Sequence, residues 1–288
     1  MKPVVAVVGP TATGKSDLGV ALAQRLGAEV VNADSMQLYR GMDIGTAKLT
    51  AAERQGVPHH LLDVWDVRDT ASVADYQVRA RALLDGPPTV FVGGSGLYLR
   101  AALDQLEFPG TDPQLRAELE AELAAHGPAA LHRRLLDRDP QAAARMEPSN
   151  GRRIVRALEV VLLTGSMPGA LREYASHVPT VYLGLDRPDL AERVGVRVDR
   201  MWEQGLVEEV EGLGELGETA GRALGYAQAR RQLAGELSAD EAREQTKAAT
   251  RRFVRRQRSW FRRDPRIRWL DPGADLLTQS MIVLDTSG

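Results

Sequence analysis

Between residues 9 and 16 the chain reads Gly-Pro-Thr-Ala-Thr-Gly-Lys-Ser, which fits the pattern G-x-x-x-x-G-K-[ST] at every fixed position. Its flanks restrict the fold further. Residues 4–8, VVAVV, are a continuous apolar run, as expected of a parallel strand buried on both faces. After the loop, Leu18, Leu22 and Leu26 recur at helical spacing and Gly27 closes the segment. Gly9, Pro10, Thr11, Ala12, Thr13, Gly14, Lys15 and Ser16 therefore read as an anion cradle. The glycines let backbone N–H groups turn inward, and the following helix contributes the positive end of its dipole. Lys15 would reach the terminal phosphates and the Ser16 hydroxyl would ligate Mg²⁺. Such a cradle asks for a di- or triphosphate with Mg²⁺. It does not ask for ATP hydrolysis, because any bound pyrophosphate satisfies the same groups.

The rest of the chain extends this unit into a P-loop NTPase-like α/β fold: a parallel sheet flanked by helices, with an all-helical insertion. Further strands are expected at AEVVNAD (28–34), HLLDV (60–64), PTVFVGGSG (88–96), PTVYLGLD (179–186) and IRWLD (267–271). From Asp112 the composition shifts to alanine, leucine and charge at helical spacing, and Asp112-Pro113 is a cap followed by a first-turn proline. We therefore expect a catalytic core over 1–111 and 178–288, its C-terminal part largely helical, and a helical insertion over 112–177.

Composition excludes several classes. With no cysteine, disulfides, thiol catalysis and cysteine-ligated metals are ruled out. Five histidines, of which only His59 and His60 adjoin, are too scattered for a metal site. No apolar run reaches the roughly 18 residues of a membrane span, and the N-terminal run is too short for a signal peptide, so a cytoplasmic protein is expected. Net charge is −2, which argues against an indiscriminate polyanion binder. The distribution of charge is less neutral. Lys2, Lys15, Lys48 and Lys247 are the only lysines, and RRFVRRQRSWFRRDPRIR (251–268) interleaves arginines with Phe253, Trp260 and Phe261. Guanidinium groups between aromatic rings suit a single-stranded nucleic-acid loop, through phosphate pairing and base stacking; an amphipathic helix with buried aromatics has the same pattern.

A second stretch, DSMQLYRGMDIGTAK (34–48), follows the strand at 28–34. Asp34 thus falls at the carboxyl end of a parallel strand, where open α/β sheets place ligands. By position it is a metal ligand, a base for an incoming nucleophile, or a helix cap. Gly41 and Gly45 flank a polar turn with Thr46 and Lys48, suited to approaching a ligand, and GGSGLYLR (93–100) brings the chain close to a bound group or makes a tight turn. Arg193, Arg197 and Arg200 share one helical face.

Taken in order, GPTATGKS, DSMQLYRGMDIGTAK, VPHHLLDV, GGSGLYLRA, RRIVRALEV, LGYAQ and RRQRSWFRR resemble the tRNA dimethylallyltransferase family from Val4 to about Asp271. The chain departs from the family pattern at Ser95, where threonine is usual, and at Ala227, where a basic residue is common. The resemblance implies transfer of a dimethylallyl group from dimethylallyl diphosphate to N6 of the adenosine at tRNA position 37. The phosphate loop would then hold the donor's diphosphate with Mg²⁺ on Ser16, Thr11 would sit near the bridging oxygen, and Arg197 near the diphosphate. Asp34 would act as base for the adenine amine. Ser35, Met36, Gln37 and Ser95 would meet the flipped nucleotide and its neighbours. Arg116, Arg152, Arg153, Arg156, Gly225, Tyr226, Arg255, Arg256, Gln257, Trp260 and Arg262 match tRNA-contacting positions. A monomer is expected, since one tRNA spanning core and insertion needs no second subunit.

Other readings remain compatible with the loop alone. A small-molecule phosphate-loop kinase would transfer γ-phosphate from ATP, but gives no role to DSMQLYRGMDIGTAK or the arginine-rich tail. A nucleic-acid-binding ATPase predicts tRNA-stimulated hydrolysis. A prenyltransferase of free adenine nucleotides has no need of the basic tail.

Overall fold

Residues 4–167 and 174–286 are described by the computed structural model. Strand β1 (Val4–Val8) is buried at every position, as its unbroken apolar run requires. It pairs in parallel with β4 (Thr89–Gly93) on one side and β5 (Thr180–Gly184) on the other. With β2 (Glu29–Asn32), β3 (His59–His60) and β6 (Ile267–Trp269) they form a parallel sheet in the order β3-β2-β4-β1-β5-β6. Register aligns Val8 with Gly93 and Gly184, and Asn32 with Val92. The loops leaving β1, β2, β4 and β5 consequently emerge at one edge, which is where the site is built.

Helix α1 (Lys15–Leu26) starts at Gly14 in the left-handed conformation and stops at Gly27, whose N–H bonds the Ala23 carbonyl. Its Leu18, Val20 and Leu22 pack on Val5, Val7, Val30 and Val90. Each such side chain contributes roughly 1.5–3 kcal/mol on burial. Helices α2 (Val73–Ala82) and α3 (Gly96–Leu103) follow. All five of the further strands are shorter than the expected ranges, β3 most of all. HLLDV contributes only His60, because Leu61 and Asp63 adopt positive φ of 58°, a conformation no strand residue holds. His60 itself pairs with Glu29 at 2.6 Å.

The chain divides into two compact units, one of residues 1–106 and 175–288 and one of residues 107–174. The second is helical, with its limits a few residues N-terminal of the expected 112–177; residues 168–173 of that span lie outside the described ones. Helix α4 (Pro113–Arg138) is capped by Asp112, whose carboxylate accepts the Gln114 and Leu115 N–H groups. It breaks at Gly127-Pro128, where Gly127 has φ 73°. After the short α5 (Pro140–Ala143), α6 (Gly151–Thr164) runs from an Asn150 cap to Gly165. Leu119, Leu131, Leu135, Ile154 and Leu158 fill its core.

The remainder of the larger unit is mostly helical: α7 (Leu190–Glu203), α8 (Leu206–Leu213), α9 (Tyr226–Leu233), α10 (Ala239–Phe261) and α11 (Leu276–Asp285). Among the described residues, no helix is long and apolar enough to cross a membrane.

Candidate active site

The phosphate loop leaves β1 through Gly9, where a Cβ would lie 2.1 Å from the Leu185 carbonyl oxygen; only glycine passes there. Side-chain donors then take the loop's carbonyl oxygens. Thr13 Oγ1 donates to Pro10 O at 3.0 Å, Lys15 Nζ to the same oxygen at 2.5 Å, and Arg193 Nε to Ala12 O at 2.8 Å. Holding carbonyls by cations and hydroxyls favours presenting the opposite, N–H side of the loop to an anion. Burial draws Lys15 down from its ordinary pKa to about 7, against the pull of Asp34, with Arg197 pushing the same way as burial.

Asp34 stands two residues beyond β2. Its N–H donates to Asn32 Oδ1 at 2.9 Å and its Oδ1 accepts the Met36 N–H at 3.0 Å. Asn32 in turn donates to Asp34 O and Leu61 O. This places Asp34 in an Asx turn rather than at a helix cap, since no helix begins there. The loop after β4 closes on it: Ser35 N–H donates to Ser95 Oγ at 3.1 Å, and the two hydroxyls are 3.3 Å apart. Ser95 thus ties the loop after β4 to the stretch that Asp34 begins.

Three adjoining cavities lie along this edge. The largest, about 800 Å³, is walled by the phosphate loop, the loop at 43–50 and α7. A small one of about 70 Å³ has Thr11, Lys15, Ser16, Asp34 and Arg197 in its wall. A third, about 340 Å³, is lined by Met36, Val198, Met201, Leu224 and Phe253, with Thr11, Asp34 and Ser35 on one side. Arg197 borders all three, Lys15 and Ser16 the first two, Thr11 and Asp34 the last two. The Arg197 guanidinium donates to Thr46 O at 3.1 Å; burial lowers its pKa while Asp34 raises it.

The glycine turn at 41–48 is held differently. The Glu209 carboxylate on α8 accepts the N–H groups of Asp43 (3.1 Å), Ile44 (2.7 Å) and Gly45 (3.4 Å), and the Tyr226 hydroxyl at 2.5 Å. Lys48, buried, donates to Asp43 and Asp63 carboxylates at 2.6 and 2.5 Å and to Tyr39 O. Gly45 is required because a Cβ would lie 2.2 Å from the Tyr226 ring. The turn expected to approach a ligand is therefore filled by an internal carboxylate. Gln37, expected to meet the flipped nucleotide or its neighbours, donates its amide to Thr46 O and Ala47 O at 3.2 and 3.4 Å.

These features have counterparts in known proteins. The IPP transferase family model matches residues 37–264. The chain is 62% identical to the tRNA dimethylallyltransferase of Thermobifida fusca, over 94% of this chain and 90% of the relative. It is 63% identical to that of Streptomyces coelicolor, with the same coverage. The chain belongs to the tRNA dimethylallyltransferase family. Its fold resembles the crystal structure of a tRNA isopentenylpyrophosphate transferase from Bacillus halodurans, with 39% identity and TM-score 0.69 over 100% of this chain and 95% of that one. It also resembles a eukaryotic dimethylallyltransferase caught acting on tRNA, with 26% identity and TM-score 0.82 over 99% of this chain and 79% of that one. Both support the phosphate-loop fold expected from the sequence.

The residues that the family resemblance assigned to tRNA fall into distinct environments. Arg255 and Arg256 are exposed on α10, and Arg256 lies over the Phe253 ring at 5.6 Å beside the apolar cavity. Arg262 is exposed but donates to Asp186 at 3.1 Å. Trp260 remains 37% exposed while packing on Gly96, where a Cβ would meet its indole nitrogen at 2.0 Å. Three of these positions are buried. Gln257 is buried and spends both ends of its amide inside the protein, accepting the Thr11 N–H at 3.0 Å and donating to Gly94 O at 3.0 Å. Gly225 and Tyr226 are buried too; burial and the Glu209 carboxylate raise the Tyr226 pKa, so its hydroxyl stays a donor.

In the helical unit, Arg152 and Arg153 are exposed at the start of α6. Arg116 and Arg156 instead converge on Glu159, which is wholly buried and also accepts the Asp112 N–H at 3.0 Å. Burial alone would raise the Glu159 pKa, but hydrogen bonds from Arg156 and Arg116 hold it below the ordinary value. Their first role is thus to close the helical unit. Glu209 is the residue that sequence reasoning missed, since nothing in VEEVEGL marks one of its acids as special.

Proposed function

We propose that this protein transfers a dimethylallyl group from dimethylallyl diphosphate to N6 of the adenosine at position 37 of tRNA, with diphosphate as leaving group. The observation that carries this reading is Asp34 standing in the wall between the small cavity beside Lys15 and the apolar cavity beyond. A base at such a boundary serves a nucleophile arriving from the side opposite the leaving group. The adenine amine is a poor nucleophile because its lone pair is delocalised into the ring. A carboxylate hydrogen-bonded to it orients N6 and takes its proton as the N6–C1 bond forms and the C1–O bond to diphosphate breaks. A base must leave its stack to arrive there.

Residues 9–16 hold the diphosphate, with Lys15, Arg197 and the α1 N-terminus countering the charge that builds on it. Thr11, in the wall of both inner cavities, would hydrogen-bond near the bridging oxygen. The donor chemistry fits Mg²⁺: this ion keeps several waters and takes one or two protein oxygens beside phosphate oxygens, and Ser16, which borders both cavities on the phosphate side, would supply one. When bound, Mg²⁺ would screen the diphosphate. The tRNA is held through exposed Arg255, Arg256, Trp260, Arg152 and Arg153, by one monomer in the cytoplasm. The test is mass spectrometry of tRNA nucleosides after incubation with protein, Mg²⁺ and dimethylallyl diphosphate. Expected is a gain of one prenyl group on adenosine at position 37, with pyrophosphate released; no such gain overturns the proposal.

A further inference from the structure

We infer that Gln257 is a positioning residue that locks the phosphate loop to the loop after β4. For its effect on the leaving group, the inference rests on the function proposed above. Along α10 the buried residues are Ala242, Thr246, Thr250, Val254, Gln257 and Phe261, a stripe at helical spacing. Gln257 is the only long amide in that stripe, and it lies between exposed Arg256 and half-buried Arg258. Its position is therefore a core position that carries hydrogen-bonding capacity, which is costly unless both ends are used.

Both ends are used, and on the two loops that matter. Oε1 accepts the Thr11 N–H and Nε2 donates to Gly94 O, each at 3.0 Å. The orientation is unambiguous, since a flipped amide would set donor against donor and acceptor against acceptor. Gly94 is what lets the side chain in: a Cβ there would lie 2.4 Å from Nε2. Thr11 and Gly94 both border the small cavity that also contains Lys15 and Asp34. One side chain thus fixes the spacing between the exits of β1 and β4, across which the donor must fit. It ties up the N–H of Thr11 itself, which leaves the later half of the loop to the diphosphate. Because α10 also carries Arg255, Arg256 and Trp260 on its outer face, the helix proposed to meet tRNA is directly bonded to the loop that holds the donor.

Two variants test this. Gln257→Met keeps length and packing but bonds neither loop. Gln257→Glu keeps an acceptor for Thr11 and sets a carboxylate oxygen against Gly94 O. In the full chain, inorganic pyrophosphate with Mg²⁺ is titrated calorimetrically, transfer kinetics are measured with dimethylallyl diphosphate, tRNA affinity is read by filter binding, and thermal unfolding confirms the fold. Gln257→Met should lose about tenfold in pyrophosphate affinity and about tenfold in kcat, with tRNA affinity changed by less than about twofold. Gln257→Glu should lose at least as much. Unchanged pyrophosphate binding in a folded variant, or a loss confined to tRNA affinity, overturns the inference. If the wild-type protein transfers no prenyl group, the proposed function falls, while the pyrophosphate titration still decides the role of Gln257.

Discussion

Two glycine-bearing loops border the same cavities, and they are satisfied from opposite sides. In residues 9–16, side-chain donors grip carbonyl oxygens: Thr13 and Lys15 at Pro10, Arg193 at Ala12. In residues 41–48 a side-chain acceptor grips N–H groups, Glu209 collecting those of Asp43, Ile44 and Gly45. The first loop is thereby arranged for an external anion, and the second already has an internal one. Glycine content and polarity are alike in both. What separates a ligand site from a structural turn is which half of each peptide unit the protein leaves for something else.

Asp34 begins the second stretch but lies outside its clasped part. Asp34→Ala should lower the single-turnover transfer rate by about 10²–10⁴-fold while tRNA affinity largely survives. A near wild-type rate would remove Asp34 from the chemistry. Next comes a crossed pair. Lys15→Met should lose about a hundredfold in pyrophosphate affinity with stability unchanged or raised, since burial disfavours the lysine charge that its removal relieves. Glu209→Ala should do the reverse, costing about 3 kcal/mol in urea unfolding by stranding three N–H groups and the Tyr226 hydroxyl. If both variants lost the same property, the distinction between the loops would be wrong.

A smaller effect follows from pH. Lys15 lies at about 7, so in the free protein it loses its proton as pH rises through neutrality. A bound diphosphate needs the charge, so binding above pH 7 must restore it. Pyrophosphate affinity should fall by about fivefold between pH 7 and 8 beyond any change due to the ligand's own ionisation. Lys15→Arg, which stays charged, supplies the reference. Parallel profiles for the two proteins would mean that Lys15 is not the titrating group.

How much of this could be read from the chain depends on the range of the interactions. The phosphate loop is legible because its determinants are consecutive: an apolar strand, fixed glycines, Lys15, Ser16 and a helix. The helical unit is legible for the same reason, from the Asp112-Pro113 start to the Asn150 and Gly165 ends of α6. HLLDV misleads because Leu61 and Asp63 take positive φ without glycine, a choice imposed by tertiary contacts such as Asn32 on Leu61 O and Lys48 on Asp63. Glu209 is hidden because its three backbone partners lie more than 160 residues away. Gln257 does carry a signal in the sequence. Read at helical spacing with Thr246, Thr250, Val254 and Phe261, it belongs to the buried stripe, while the arginines around it draw attention to the surface.

The same division by satisfaction applies to the arginines, where the smallest effects are expected. Arg116 and Arg156 neutralise the buried Glu159, so removing either leaves a carboxylate short of a partner in the helical core. Arg255 is exposed on α10, and among the described residues no buried carboxylate pairs with it. A phosphate contact made by such a residue acts through released counterions, so it changes the salt dependence of binding rather than the fold. Arg255→Ala should weaken tRNA binding severalfold and reduce the slope of log affinity against log salt by about 0.7–0.9, with unfolding unaltered. Arg116→Ala should lower the unfolding midpoint instead, because its guanidinium answers an internal charge. Filter binding between about 50 and 200 mM salt separates the two. A full-size change of slope for Arg116→Ala with no loss of stability would show that its contact with Glu159 yields to RNA, and that an arginine paired in the free protein still reads the substrate.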